Sequence, residues 1–91
     1  DTITLLNRSG TEICDVYFAY QPEVNGWGKD RLRSQLRFPQ SRDIRLPIYF
    51  EWFAENPEAG YSGRTVDCDG NELEVMDGIG GDGNFFVWEV H

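Results

Sequence analysis

The 91-residue chain contains one histidine, and that histidine is the last residue, His91. Chain ends are usually poorly ordered, so a Ser–His or Cys–His catalytic pair has no well-placed base in this sequence. Paired carboxylates are another route to hydrolysis, but 16 acidic residues place some pair at a suitable separation by chance alone. The sequence therefore predicts a protein that is not an enzyme.

Basic residues are also scarce, since 8 lysines and arginines stand against 16 acids and give a net charge of −8. Nucleic acids and anionic membranes bind basic surfaces, so neither is expected as a partner. No apolar run approaches the roughly 20 residues of a membrane span. We expect one soluble domain over residues 1–91 with a thin core, because so short a chain buries only about 60 to 65 % of its unfolded surface.

The few basic residues are unevenly distributed. Residues 29–45 carry a net charge of +4 and hold Lys29, Arg31, Arg33, Arg37, Arg42 and Arg45. From residue 46 onward ten acids face one base, Arg64. The two regions could pair within one molecule or between molecules. Lys29, Arg31 and Arg33 are candidates for binding an acidic protein or a glycan, and the alternative is that they form a solvated face.

Short β-strands with turn residues between them dominate the rest of the pattern. Strands are predicted over 2–7, 12–20, 41–46, 48–54 and 85–90, with a hairpin over 65–74. Loops are predicted over 21–28, 55–62 and 77–84, and one helical turn over 30–36, where Leu32 and Leu36 share a side. About seven strands and one helical turn predict an all-β fold, an antiparallel β-sandwich.

The two cysteines permit one disulfide. Alternation along 12–20 places Cys14, Val16, Phe18 and Tyr20 toward the core, and Cys68 is also expected to face inward. In an exported protein a Cys14–Cys68 bridge would add about 2 to 4 kcal/mol of stability. In a reducing compartment both would be small buried apolar side chains.

The hairpin is predicted to turn at Asp69-Gly70, a pair of residues that favours a two-residue type I′ turn. This register sets Val66 opposite Leu73 and Asp67 opposite Glu72. Two carboxylates directly across a strand pair repel each other. Either a bound cation or exposure to solvent would relieve the repulsion.

Calcium is the cation that these residues suit, because Ca²⁺ prefers hard oxygen ligands. The predicted ligands are the acidic and amide side chains of the hairpin, assisted by those of the glycine-rich loop: Asp67, Asp69, Asn71, Glu72, Asp77 and Asp82. The alternative is that Asp and Asn occur here because they favour turns.

Trp27 lies between Gly26 and Gly28. An exposed indole in such a loop is typical of a platform for a sugar ring or a protein partner. The alternative is that the ring folds back and closes one end of the thin sandwich.

Two motifs carry a resemblance to a known family. Residues 27–32 match Trp-Gly-x-Asp-x-Leu, and residues 64–72 match Arg-x-Val-Asp-x-Asp-Gly-x-Glu. Together they resemble small bacterial exported β-domains of unassigned function. The resemblance implies a β-fold and an extracellular or periplasmic location, and it implies no activity.

Overall fold

Six β-strands and one short helix form the part of the chain that the structure, a computed structural model, describes: residues 2–46, 60–79 and 85–91. The strands are β1 (Thr2–Asn7), β2 (Ile13–Ala19), β3 (Ser41–Arg45), β4 (Tyr61–Asp67), β5 (Glu72–Ile79) and β6 (Phe85–Val90), and the helix is α1 (Pro22–Asn25). The predicted strand over 48–54 lies outside the described residues. In the described ranges no helix is long and apolar enough to cross a membrane.

The strands form two three-stranded sheets. Sheet A has the order β3-β1-β6, and sheet B has the order β2-β4-β5. All neighbours are antiparallel except β1 and β6, which run parallel. The prediction of an all-β sandwich is confirmed, with this one parallel pair as a departure from the antiparallel pattern.

Trp88 of β6 lies at the centre of the core between the sheets. Its side chain is fully buried and meets Phe18 of β2 edge-on, with ring centroids 6.0 Å apart. Ile3 and Leu5 of β1 are also fully buried, whereas Thr4 between them is partly exposed. β1 therefore has the period-two alternation that its sequence predicts.

The predicted alternation fails at the start of β2. The register against β4 shifts between Ile13 and Asp15, which is a β-bulge. Ile13 and Val16 are both fully buried, and Cys14 is partly exposed. The prediction that Cys14 faces the core is therefore wrong, because the extra residue of the bulge changes which side chains point inward.

The helical turn predicted over 30–36 is also wrong. This segment runs beside β2, and Leu36 and Ile13 exchange both main-chain hydrogen bonds at 2.9 Å. The main-chain N–H of Arg31 donates to the oxygen of Val16 at 2.8 Å. Because these groups bond to a strand, they are not available for helical bonds along the chain. Leu32 and Leu36 are nevertheless both buried, as their spacing predicts.

Asn7 holds this segment in place from the end of β1. Its fully buried amide nitrogen donates to the main-chain oxygens of Thr11 and Leu36, both at 2.7 Å. Its amide oxygen accepts from the main-chain N–H and the hydroxyl of Ser9. One buried polar side chain thus joins β1, the turn after it and the 30–36 segment.

Gly63 of β4 provides the space that Trp88 occupies. A Cβ atom added at position 63 would lie 2.6 Å from Cζ3 of Trp88 and 2.8 Å from Cδ1 of Ile79. We therefore expect Gly63→Ala to lower the free energy of unfolding by about 1 to 3 kcal/mol, through overpacking. Urea denaturation measures this cost.

A double-mutant cycle provides the control. Trp88→Phe removes the indole atoms nearest to the added methyl group, so Gly63→Ala should cost at least about 0.5 kcal/mol less in that background. An equal cost in both backgrounds would contradict the proposed steric origin.

Candidate functional site

A cationic cleft lies where the segment 29–33 meets β3 of sheet A. The cleft has a volume of about 860 Å³. It is lined by five basic residues, two acidic residues and three others: Lys29, Arg31, Arg33, Arg42, Arg45, Asp30, Asp43, Thr2, Leu32 and Ile44. The lining therefore carries a net charge of +3 in a chain whose net charge is −8.

The Asp30 carboxylate fixes the position of the segment that supplies Arg31 and Arg33. Its Oδ1 accepts hydrogen bonds from the main-chain N–H groups of Val16 and Leu32, both at 2.9 Å. The bond to Val16 joins the segment to the outer edge of β2, and the bond to Leu32 fixes the local turn. The chain leaves this turn with Leu32 buried in the core and Arg33 exposed.

β3 supplies the other wall of the cleft. Ile44 is buried, and Asp43 and Arg45 on either side of it are exposed. The guanidinium group of Arg42 donates to the main-chain oxygen of Ser34 at 2.6 Å and to its hydroxyl at 3.1 Å. Arg42 thus connects β3 to the chain that follows the 29–33 segment.

Both carboxylates of the cleft already have partners. Asp30 accepts from main-chain groups as described, and Asp43 accepts a 2.7 Å hydrogen bond from the hydroxyl of Thr4. The ion pairs with arginine in the described ranges lie elsewhere: Arg8 with Glu89, Arg37 with Glu12 and Arg64 with Glu72. No acid of the described ranges forms a salt bridge with a basic residue of the cleft.

Arg31 has one further feature. Its Nε atom is buried and has no hydrogen-bond partner among the described residues. A buried N–H of a charged group without an acceptor is costly. Arg31 is one of the residues that line the cleft.

Asp15, a residue of β2, interacts with the Asp30 side chain. Burial raises the pKa of the Asp15 carboxyl, and the charge of Asp30 and a hydrogen bond to it raise that pKa further. A negative charge at Asp15 is therefore disfavoured, so this carboxyl takes up a proton at a higher pH than an ordinary aspartate.

The predicted binding residues are only partly brought together. Lys29, Arg31 and Arg33 line the cleft, whereas Trp27 is partly buried and does not line it. Arg42 and Arg45 belong to the basic stretch that the sequence shows. Their place in the same cleft depends on the pairing of β3 with β1, which local patterns do not reveal.

The hairpin differs from its prediction in register. The main-chain N–H of Asp67 donates to the oxygen of Asn71 at 2.9 Å, and Gly70 adopts a positive φ of 85°. The loop therefore has three residues with a glycine bulge, instead of a two-residue type I′ turn. Glu72 lies opposite Val66, so the predicted pairing of Asp67 with Glu72 is wrong.

The pairing predicted for the inward-facing side chains of the hairpin also differs from the structure. A second shift, between Thr65 and Val66, leaves Leu73 without a direct partner, so the predicted pairing of Val66 with Leu73 is also wrong. Cys68 lies exposed in the loop instead of facing inward. It nevertheless forms a disulfide with Cys14, with a Cα–Cα distance of 4.9 Å.

Three acids of the predicted calcium site, Asp67, Glu72 and Asp77, have hydrogen-bond partners among the described residues. Oδ1 of Asp67 accepts from the main-chain N–H groups of Asp69 at 2.9 Å and Asn71 at 2.8 Å. Oε1 of Glu72 accepts from Arg64 at 2.9 Å, and Oδ1 of Asp77 accepts from the hydroxyl of Ser62 at 2.7 Å.

These partners match the alternative interpretation, in which Asp and Asn stabilise turns. Within 2–46, 60–79 and 85–91 no three acidic, histidine or cysteine side chains are grouped to hold a metal ion. Asp82 lies outside these ranges, and calcium binding stays a prediction.

If Ca²⁺ binds, it must raise the melting temperature by mass action, and a melting curve unchanged by millimolar Ca²⁺ would contradict it.

Comparison of the chain with protein-family models, with curated proteins and with solved structures finds no match.

The Asp67 carboxyl should have a pKa below its ordinary value of 3.8. The main cause is the hydrogen bond from the main-chain N–H of Asn71, and bonds from Asp69, the Asn71 side chain and Gly70 add to it, against a smaller opposing effect of desolvation. Because the folded-state pKa is the lower one, this contribution to stability is present above pH 3.8 and is lost as the pH falls through the folded-state value.

An NMR titration of the Asp67 carboxyl carbon measures this pKa. Asn71→Ala should retain most of the shift, because the main-chain N–H remains after the side chain is removed. An ordinary pKa in the unmodified protein would contradict the hydrogen bonding described for this turn.

Proposed function

We propose that this chain is a non-enzymatic, exported recognition module that binds an acidic segment of a protein partner in the cationic cleft. The observation that carries the proposal is the imbalance in the cleft wall. Five basic side chains converge there without a salt bridge to a described acid, while both carboxylates of the wall are already hydrogen-bonded.

The chemistry of arginine favours carboxylates as the ligand groups. The guanidinium group presents several N–H donors in a plane, which matches the two oxygens of a carboxylate. Hydrogen bonds that involve a charged group are each worth about 1.5 to 3 kcal/mol.

The overall charge of the chain selects a short acidic segment over a long polyanion. At physiological ionic strength a charge acts over a Debye length of about 8 Å. A few carboxylates inside the cleft would interact mainly with its +3 lining. A nucleic acid that extended beyond the cleft would meet a chain of net charge −8.

Glycan binding is the second candidate, and the position of Trp27 weighs against it. Sugar rings are commonly held by an exposed aromatic face. Trp27 is partly buried and is not part of the cleft wall. A cleft of about 860 Å³ has the size of a typical ligand site, and its wall offers charge instead of aromatic surface.

The export part of the proposal is supported by the Cys14–Cys68 bridge, since disulfides persist mainly in oxidising compartments. Free thiols in protein isolated directly from its native compartment, detected by mass spectrometry after alkylation, would contradict export.

A fluorescent, glutamate-rich peptide of about ten residues tests the binding proposal. Fluorescence anisotropy should show binding at low salt that weakens as salt is added, because charge pairs dominate it. A glutamine-rich peptide of the same length should not bind. Arg31→Gln with Arg33→Gln should weaken binding of the acidic peptide about tenfold or more.

The matched control is Arg8→Gln with Arg37→Gln, which changes the net charge equally. Both control arginines lie outside the cleft wall in exposed ion pairs, so their loss should change affinity less than about twofold. If the two double variants weaken binding equally, net charge explains the interaction and the cleft does not.

A further inference from the structure

The basic and acidic parts of the chain lie at opposite edges of sheet B. The 29–33 segment is hydrogen-bonded to β2 through Arg31 and Asp30, as described above. Beyond β2 the order is β4 and then β5. Sheet A has the same arrangement, because β3 borders the cleft and β6, at the far end, contacts β5.

The edge that contains β5 is strongly acidic. Residues 60–79 hold five acids and one base: Asp67, Asp69, Glu72, Glu74, Asp77 and Arg64. Asp69 and Asp77 are exposed and form no salt bridge with a described base. We call β4, β5 and the loop between them the acidic edge. It carries a net charge of −4, against +3 for the cleft wall.

No salt bridge within the described residues joins a basic residue of the cleft wall to an acid of the acidic edge. Neighbouring strands are about 4.8 Å apart, so the segment and β5 are separated by roughly 14 Å across β2 and β4. This separation exceeds the Debye length of about 8 Å. A second copy of the chain can bring an acidic edge directly to the cleft.

We propose that the cationic cleft of one molecule binds the acidic edge of a second copy, head to tail. This inference rests on the proposed function, and it names the partner whose carboxylates enter the cleft. The contact joins two different surfaces, so the molecule that uses its cleft retains a free acidic edge, and the molecule that uses its edge retains a free cleft. Such an interface continues into a ring or an open chain of molecules.

Sedimentation velocity of the unmodified chain is the first measurement. At about 20 mM salt the sedimentation coefficient should rise with protein concentration, and at about 500 mM salt it should remain that of a monomer. A monomer at every concentration in low salt would overturn the inference.

Two neutralising variants test the head-to-tail geometry. The cleft variant is Arg31→Gln with Arg33→Gln, and the edge variant is Asp69→Asn with Asp77→Asn, which keeps an oxygen acceptor for Ser62. Each should be monomeric alone. Their equimolar mixture should form a 1:1 dimer and nothing larger, because one supplies the only intact cleft and the other the only intact edge.

Association of either variant alone to the level of the unmodified chain, or a mixture that stays monomeric, would overturn the proposed contact. Arg8→Gln with Arg37→Gln should associate as the unmodified chain does. Circular dichroism confirms that each variant is folded, which is expected since all six altered positions carry polar, non-core side chains.

The acidic-peptide experiment separates the two proposals. If the peptide binds the cleft and the unmodified chain is monomeric, self-association is excluded and the recognition function stands. If neither the peptide nor a second copy binds, both proposals fail. If both bind, the peptide should compete with self-association and return the chain to the monomer.

Discussion

The Asp30 carboxylate makes the contacts on which the candidate site depends. One oxygen accepts from the main chain of β2 and from the main chain two residues further along its own segment. Without it, the 29–33 segment would lose the side-chain link that ties it to the edge of sheet B, and the edge of β2 would lose part of its cover. Uncovered strand edges readily pair with other chains, so this one carboxylate both protects the sheet and positions the arginines.

These contacts explain the structural role of three residues in the Trp-Gly-x-Asp-x-Leu motif. Gly28 adopts a positive φ of 76°, a conformation that glycine adopts at little cost. Asp30 forms the link to β2, and Leu32 is buried in the core. The motif therefore directs the path of the chain, and the residues between its fixed positions, Lys29 and Arg31, provide two of the five basic side chains of the cleft.

The sequence is informative wherever structure follows from near neighbours along the chain. Alternation in β1 identifies Ile3 and Leu5 as core residues, and the charge asymmetry identifies Lys29, Arg31 and Arg33 as a group. Prediction from the sequence fails at the bulges. The residue inserted near Cys14 and the positive φ of Gly70 arise from pairing with a neighbouring strand. The sequence also predicts a helical turn at 30–36, because the spacing of Leu32 and Leu36 suits a helix as well as it suits the observed segment beside β2, in which both are buried.

The parallel pairing of β1 with β6 determines how the fold would carry a mechanical load. Thr2 lies beside Phe85, and Asn7 lies beside Val90, so the first residue of β1 and the last residue of β6 are at opposite ends of the pair. A pull outward on Thr2 and Val90 would slide the two strands past each other along their length. All the hydrogen bonds between them would share that force at once, whereas strands pulled apart from one end would release their bonds one after another.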